Sequence, residues 1–208
     1  SAEPPEPHAH AVALERWVGA ADDAADREFR QAVHTVLDTL ASIPGLSQWI
    51  ALKGAILLAV RYDFTRPTRD VDLSTAKRLQ DVDVEAFLED LRQALPASVE
   101  RLPYGLACRL QSHEIRPPGA EASFPTLRIS IGYAPSLDPA RLRRLIRGTG
   151  SAQTLTMDLS FNEPLLTLEW LGLGERRLRI PAYSLQEFVA EKFRAILQQP
   201  GRKRNRPQ

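Results

Sequence analysis

The stretch LKGAILLAVRYDFTRPTRDVDLS, residues 52–74, decides the fold of this chain. SQWIALKG, which leads into it, is typical of a short buried strand ending at Gly54; AILLAVRY is typical of a helix and RDVDLS of a second strand. Residues i and i+2 of a strand point to the same face, so Asp70 and Asp72 project together while Val71 points into the core. The stretch therefore predicts a strand, a glycine turn, a helix and a strand with two neighbouring carboxylates.

The pair Asp70 and Asp72 has two interpretations. Two ionised carboxylates this close repel each other, which is unfavourable among core residues unless a cation bridges them. Hard divalent cations such as Mg²⁺ bind oxygen ligands of this kind and bring phosphates with them. The alternative is a polar strand end, in which the aspartates cap a turn or pair with Arg66 and Arg69. The letters DVD alone do not separate a metal site from a strand end.

The residues before the pair favour a site for phosphates. Gly54 lies where a predicted strand turns into a predicted helix, and such a junction presents backbone N–H groups and the positive end of a helix. Arg66 and Thr68 precede the carboxylates and carry donors for phosphate or sugar oxygens. Together these residues indicate a nucleotide bound through its phosphates.

Composition excludes several classes of protein. The 208 residues have a net charge of +1, so a nucleic-acid partner would have to bind a local basic patch. The single cysteine, Cys108, excludes an internal disulfide framework and fits a reducing compartment. No apolar run has the length of about eighteen residues that a membrane span needs. The N-terminal letters SAEPPEPHAH do not resemble a signal peptide. We therefore expect a cytoplasmic protein that does not associate with membranes.

The remaining pattern predicts an α+β (mixed α/β) fold, with a mixed sheet flanked by helices in one main domain. We expect helices over 11–19, 22–42, 83–95 (closed by Pro96) and 184–199, and strands over 105–115, 126–133, 153–161 and 176–184. The basic segment 138–150 is either a short helix or an excursion from the sheet. We expect a partly disordered lead over 1–20, the domain over 21–199, and a basic tail over 200–208.

Two further segments carry candidate site residues. Asp158 lies in the strand LTMDLSF among apolar residues. If that strand lies beside RDVDLS, Asp158 completes a three-carboxylate metal site; otherwise it is the solvent-facing acid of an amphipathic strand. From the residues alone, Lys192 in AEKFRAI lies on the polar side of an amphipathic helix. The basic segment RLRRLIRG, 141–148, is either an RNA-backbone contact or a solvated helix face.

The order of these elements resembles the nucleotidyltransferase superfamily, in which a glycine turn is followed by an Asp-x-Asp pair. More narrowly, it resembles the AbiEii-type nucleotidyltransferase toxins of bacterial type IV toxin–antitoxin systems. That family carries a Lys-Gly-Gly turn, then Arg-x-Ser/Thr-x-Asp-x-Asp, and later a Glu-Lys-x-x-Ala element that matches residues 191–195. The matching residues of the first segment are Lys53, Gly54, Arg66, Thr68, Asp70 and Asp72. Ala55 departs from the glycine or small polar residue usual at the second turn position.

The resemblance implies a nucleotidyltransferase-like core and a Mg²⁺-dependent transfer of NMP from an NTP to an acceptor. It implies that Asp70, Asp72 and Asp158 bind the metal, that Asp158 also activates the attacking hydroxyl, and that Lys192 contacts the triphosphate. The nucleotide-binding residues that it implies are Lys53, Gly54, Ala55, Arg66 and Thr68. The 3′ end of tRNA is the implied acceptor, and a cognate antitoxin is the implied partner.

Two other functions stay open at the level of sequence. The same fold transfers NMP to small molecules such as aminoglycosides, and acceptor choice depends on loops. A degenerate, non-catalytic nucleotide-binding or regulatory module would also fit Ala55. The family has an Arg-x-x-Asp-x-x-Asp-Leu element opening a further helical region, where this chain reads RKRNRPQ. We therefore expect the tail to be the start of a missing C-terminal region, or the protein to be a short relative.

Overall fold

The computed structural model describes residues 9–64, 68–117, 124–148, 153–174 and 178–197. These residues form strands β1 (Ala9–Val12), β2 (Ala51–Lys53), β3 (Asp70–Ser74), β4 (Leu106–Arg116), β5 (Thr126–Pro135), β6 (Gln153–Ser160), β7 (Leu168–Leu173) and β8 (Arg179–Tyr183). The helices are α1 (Leu14–Gly19), α2 (Ala24–Ser42), α3 (Gly54–Tyr62), α4 (Val84–Arg101), α5 (Pro139–Arg147) and α6 (Leu185–Leu197). The mixed α/β fold expected from the sequence is confirmed.

All eight strands belong to one mixed sheet with the order β1-β7-β8-β2-β3-β6-β5-β4. Strand β3 lies between β2, which is antiparallel to it, and β6, which is parallel to it. The pairs β4–β5, β5–β6 and β7–β8 are antiparallel, whereas β1–β7 and β2–β8 are parallel. The RDVDLS strand therefore occupies the middle of the sheet, next to the strand of Asp158.

The core lies on the sheet face to which the apolar residues of the central strands point. Val71 and Leu73 of β3 are fully buried, as are Met157 and Leu159 of β6. Helix α2 contacts β4, β5, β6 and β8 and packs against α4, and its buried residues include Val33, Val36 and Leu37. Because strand residues alternate between faces, the polar residues of β3 and β6 point to the opposite face. Helix α3 contacts β2 and β3 near those polar residues.

Three parts of the fold differ from the sequence-based expectations. The helix expected to close at Pro96 continues to Arg101, because Leu91, Leu95 and Ser98 are buried on both sides of the proline. Strand β7 was not predicted. The described part of the N-terminal lead forms an unpredicted strand, β1, which pairs with β7, whereas the helix expected over 11–19 is present as α1, whose Leu14 and Val18 are buried. Within the described ranges, no helix is both long and apolar enough to cross a membrane.

Candidate active site

Asp70 and Asp72 lie on the same face of β3. Asp70 is exposed and Asp72 is partly buried, whereas Val71 between them is fully buried. In the parallel pairing of β3 with β6, Asp72 lies directly opposite Asp158 and Asp70 lies opposite Thr156. The expected neighbourhood of the RDVDLS and LTMDLSF strands is therefore confirmed. Asp72 and Asp158 are side by side across two strands, with Asp70 two residues further along.

A row of four charged residues crosses the sheet at this level. In the strand register, Lys53 of β2 lies opposite Asp72 of β3. Asp72 lies opposite Asp158 of β6, and Asp158 lies opposite Arg128 of β5. Directly opposed like charges in a sheet are destabilising, whereas opposite charges are favourable. The two central acids are thus flanked by one cation on each side. We call Lys53, Asp72, Asp158 and Arg128 the charged row.

Gly54 brings the first turn of α3 against the carboxylate of Asp72. Its φ is +76°, in the left-handed region that side chains rarely adopt. A Cβ atom at this position would lie 2.0 Å from Oδ2 of Asp72 and 2.8 Å from its Cβ atom. Only glycine therefore allows the N-terminus of α3 to approach Asp72 this closely. The result is a carboxylate beside the free N–H groups of a helix N-terminus.

The environment of Asp72 favours its neutral form. Burial is the largest cause of a raised pKa; Lys53 opposes it, Asp70, Asp158 and Glu191 add to it, and together they shift the pKa of the Asp72 carboxyl from 3.8 to about 6. No described residue forms an ion pair with Asp70 or Asp72. Unlike the other acids of the site, these two carboxylates are available to a cation.

Asp158 is held by a guanidinium fork. Nε of Arg128 lies 2.8 Å from Oδ1 of Asp158, and an Nη atom of Arg128 lies 2.6 Å from Oδ2. Donation of these hydrogen bonds to Asp158 raises the pKa of the Arg128 guanidinium. A bidentate pair of this kind is stronger and more specific in geometry than a single hydrogen bond.

Lys53 is bound by carboxylates that the sequence did not reveal. Its Nζ lies 2.7 Å from Oε2 of Glu163 and 3.2 Å from Oε1 of Glu191. Oε2 of Glu163 also accepts hydrogen bonds from Ser74, at 2.6 Å, and from Tyr183, at 3.1 Å. These bonds use two of the three N–H donors of the Lys53 ammonium group. The apolar residues around Glu163 in the sequence gave no signal for this role.

Lys192 projects into a wide cleft. Its side chain is 59% exposed, and its Nζ lies 5.0 Å from the ring centroid of Phe188. The cleft has a volume of about 1420 Å³ and is lined by the following groups: Gly54, Ala55 and most of α3; Thr68, Arg69, Asp70 and Asp72; Phe188 and Lys192; and several residues of α1 and α2. It therefore joins the helix N-terminus, the two free carboxylates and the exposed lysine in one open space.

Comparison with known proteins identifies the family. Residues 35–208 match the model of the family described as nucleotidyl transferase AbiEii toxin, type IV TA system. The chain belongs to the AbiEii family. A comparison with curated proteins gave no match.

Two solved structures are similar to the AbiEii chain. One is a candidate nucleotidyltransferase from H. pylori, with a TM-score of 0.47, 15% identity, and coverage of 82% of this chain and 58% of that one. The other is JHP933 from Helicobacter pylori, with a TM-score of 0.48, 15% identity, and coverage of 83% and 57%. The chain thus spans less than two thirds of the length of either protein.

The other motif residues of this AbiEii chain have different surroundings. Oγ1 of Thr68 lies 3.4 Å from the backbone N of Asp70, so Thr68 contacts the start of β3. Ala55 is the second residue of α3 and lines the cleft. Arg66 and the tail over 200–208 lie outside the described residues. In the basic segment, Arg141 donates to both carboxylate oxygens of Glu28, at 3.1 and 2.6 Å.

The donors of the site fit a hard divalent cation in part. Asp70 and Asp72 offer carboxylate oxygens on one face, no cation among the described residues is in ion-pair contact with them, and such oxygens suit Mg²⁺. Within the described ranges, however, no three His, Cys, Asp or Glu side chains are grouped so that they could hold a metal ion. The carboxylate of Asp158 is instead bound to Arg128. Of the three expected metal ligands, Asp70 and Asp72 are therefore available, whereas Asp158 is hydrogen-bonded to Arg128.

One wall of the cleft comes from residues before the family match. Eight lining residues precede residue 35, where the match begins: Ala13, Arg16, Trp17, Ala20, Asp22, Asp26, Phe29 and Arg30. In this wall the guanidinium of Arg30 lies 5.1 Å from the ring centroid of Trp17 and donates to the Trp17 carbonyl at 2.8 Å. This wall of the cleft therefore lies outside the region that matches the family model.

Proposed function

We propose that this AbiEii chain transfers NMP from an NTP to an acceptor hydroxyl in a Mg²⁺-dependent reaction. The observation that carries the proposal is the meeting of Asp70, Asp72 and the N-terminus of α3 at Gly54 beside one cleft. Carboxylates for a cation and N–H groups for a phosphate are what phosphoryl transfer needs at one place. Membership of a nucleotidyltransferase toxin family supports the same conclusion.

Asp70 and Asp72 would hold the Mg²⁺, with Asp158 as a third ligand. Bound Mg²⁺ would neutralise charge on the triphosphate and on the departing pyrophosphate. The raised pKa of Asp72, about 6, supports this assignment, because burial beside other acids is unfavourable for a carboxylate that has no cation. Perturbed carboxyl groups of this kind are enriched at functional sites.

The remaining residues would bind the nucleotide. The N–H groups of Gly54 and Ala55 point out of the first turn of α3 and would bind β- or γ-phosphate oxygens. Lys192, exposed in the same cleft, would add a point cation to the triphosphate. Arg66 and Thr68 would contact the phosphates or the sugar. Lys53 would support the site electrostatically through Asp72, since its Nζ is already bound to Glu163 and Glu191.

The chemical step exchanges one phosphorus–oxygen bond for another. The acceptor oxygen bonds to the α-phosphorus, while the bond from the α-phosphorus to the bridging oxygen breaks and pyrophosphate leaves with that electron pair. The proton of the acceptor hydroxyl is released as the new bond forms. Asp158, opposite Asp72, would orient this hydroxyl or accept its proton.

We further propose tRNA as the acceptor and a cognate antitoxin as the partner. The type IV toxin–antitoxin description of the family supports an antitoxin. For RNA, the supporting feature is α5, on which Arg143, Arg144 and Arg147 are exposed, while Arg141 is bound to Glu28. Exposed arginines on one helix suit a phosphate backbone.

The deciding experiment measures Mg²⁺-dependent transfer of label from each α-labelled NTP to total tRNA. Wild type is compared with Asp70→Asn and Asp72→Asn, which keep side-chain size and remove charge. Label on RNA that both variants lose would establish the proposed reaction and identify the base. Label on an added aminoglycoside instead of RNA would establish a small-molecule enzyme. NTP binding without transfer to any acceptor would establish the degenerate module.

A further inference from the structure

Asp158 has a competing partner on each side. On one side its strand neighbour is Asp72, which we assign to the metal site; on the other side it is Arg128. The fork from Arg128 occupies both oxygens of the Asp158 carboxylate, at 2.8 and 2.6 Å. In the part of the chain that the structure describes, no three acids are grouped for a metal. The third acid is thus next to the other two in the sheet, but its carboxylate is bound elsewhere.

We propose that Arg128 is an internal cation that competes with the divalent metal for Asp158. With no metal, Arg128 neutralises the carboxylate that lies opposite Asp72. When the metal binds at Asp70 and Asp72, Asp158 completes the ligand set only as Arg128 withdraws. Arg128 therefore sets the metal affinity of the site. This inference rests on the metal site of the proposed function.

The surroundings of Arg128 allow this exchange. Its side chain is 37% exposed, whereas that of Asp158 is 16% exposed, so the arginine can move without disturbing the core. On its other side, Glu114 of β4 is the strand neighbour of Arg128, and its carboxylate, which is paired with Arg116, is a second acceptor for the guanidinium. Lys53, at the opposite end of the charged row, is buried and bound to Glu163 and Glu191, so it lacks this freedom. Of the two cations in the charged row, Arg128 is therefore the one that can change position without leaving buried carboxylates unpaired in the core.

A different role for Arg128 makes the opposite prediction. A carboxylate has about four lone-pair positions, so Asp158 can in principle accept the fork and bind a metal at the same time. Arg128 would then hold Asp158 in position for the metal, and its loss would weaken metal binding. Under competition, loss of Arg128 strengthens metal binding. The sign of the change in affinity therefore separates the two roles.

The test measures the affinity of the nucleotide-free protein for Mn²⁺. Electron paramagnetic resonance of the free Mn²⁺ in each titration gives the bound fraction. The variants are Arg128→Gln, Arg128→Lys, Asp158→Asn and the double variant Arg128→Gln/Asp158→Asn. Arg109→Gln is the matched control, because Arg109 is an exposed arginine of β4 that donates to the backbone carbonyl of Ile146, so its loss leaves Glu114 paired with Arg116. Circular dichroism checks that each variant is folded.

We expect Arg128→Gln to bind Mn²⁺ on the order of tenfold more tightly than wild type, which corresponds to about 1.4 kcal/mol. Arg128→Lys should lie between the two, since lysine keeps the charge without the fork. In the Asp158→Asn background, Arg128→Gln should change the affinity less than twofold, and Arg109→Gln should behave like wild type.

Three results would overturn the proposal. They are unchanged or weaker Mn²⁺ binding by Arg128→Gln, the same gain in the Asp158→Asn background, and an equal gain for Arg109→Gln. The last two would indicate a long-range effect of charge instead of competition for Asp158. The proposed function fails independently: tighter, Asp158-dependent Mn²⁺ binding without any NMP transfer would sustain the competition and reject the enzyme. Mg²⁺-dependent NMP transfer by wild type, together with unchanged Mn²⁺ affinity in Arg128→Gln, would sustain the enzyme and reject the competition.

Discussion

Lys53 Nζ lies 2.7 Å from Oε2 of Glu163, a residue 110 positions further along the chain. The same oxygen accepts hydrogen bonds from Ser74 and Tyr183, and Glu191 reaches Lys53 from α6. These contacts connect β2, β3, β8 and α6 around one buried ammonium group. They hold the helix that carries Lys192 against the strand that carries Asp72.

Replacing Lys53 by methionine should destabilise the fold. The change leaves the carboxylates of Glu163 and Glu191 partly buried without their cation, and the expected loss in the free energy of unfolding is about 2–4 kcal/mol. Urea unfolding measures the loss. Adding Glu163→Gln to Lys53→Met should recover part of it, because one of the unpaired charges is removed. Additive effects of the two changes on the free energy of unfolding would show that Lys53 and Glu163 do not stabilise the fold as a pair.

Lys192→Met should have the opposite profile. The side chain is 59% exposed and its nearest carboxylate oxygen is 3.5 Å away, so the free energy of unfolding should change by less than about 0.5 kcal/mol. If Lys192 contacts the triphosphate, NTP affinity should decrease about 10- to 100-fold, the value of one hydrogen bond to a charged group. Equilibrium binding of a non-hydrolysable NTP checks this. Unchanged affinity would remove Lys192 from the site.

Gly54→Ala should impair the site more than the fold. Its Cβ atom would lie 2.0 Å from Oδ2 of Asp72, so the carboxylate must move, and the positive φ adds about 1–2 kcal/mol of strain. Gly105→Ala is the matched control: its φ is +58°, and nothing lies within 4 Å of the added Cβ atom. Both variants should lose thermal stability through the positive φ, Gly54→Ala more because of the added clash, but only Gly54→Ala should lose NMP transfer. Equal transfer by the two variants would show that the contact with Asp72 is unimportant.

Asp72→Asn should stabilise the metal-free protein at neutral pH. The pKa of Asp72 is raised to about 6 in the folded state, so the folded protein binds this proton more tightly than the unfolded chain. The associated stability is present at pH values below about 4 and is lost as the pH rises through about 6. In EDTA, the asparagine variant should therefore be about 1–2 kcal/mol more stable than wild type at about pH 8.

The difference in the free energy of unfolding between Asp72→Asn and wild type should shrink as the pH decreases towards about 4. Urea unfolding across this range measures it. Mg²⁺ should stabilise wild type and have little effect on the variant, because binding to the folded state alone raises stability. A variant that is less stable than wild type at every pH would show that the negative charge of Asp72 contributes net stability to the metal-free fold.

Local patterns were sufficient to predict β3, the turn at Gly54 and the strand of Asp158. Alternation put Asp70 and Asp72 on one face, and the helix predicted from residue 184 begins there, with Glu187 N donating to Ser184 Oγ at 3.2 Å. These features depend on residues close together in the sequence. For the same reason, the elements that carry the main candidate site could be anticipated from short motifs.

The partners of the site residues could not be predicted, because they depend on how distant strands align. Arg128 meets Asp158 only through the register of β5 with β6, and a shift of one residue would point Arg128 to the other face. Glu163 is a loop acid with no motif around it. Helix α4 continues past Pro96 because its buried leucines outweigh the single missing N–H donor. Tertiary packing decided all three.

The charged row also fixes when the site can exist during synthesis. Lys53 and Asp72 leave the ribosome early, but β3 pairs on one side with β6, so Asp158 and the β5 residue Arg128 must be translated before the row closes. Lys192 follows later still, on the last described helix. Long-range strand pairing of this kind is slow to form, and N-terminal parts of a chain emerge first. A nascent chain interrupted before β6 would therefore contain the Asp-x-Asp pair but no assembled site.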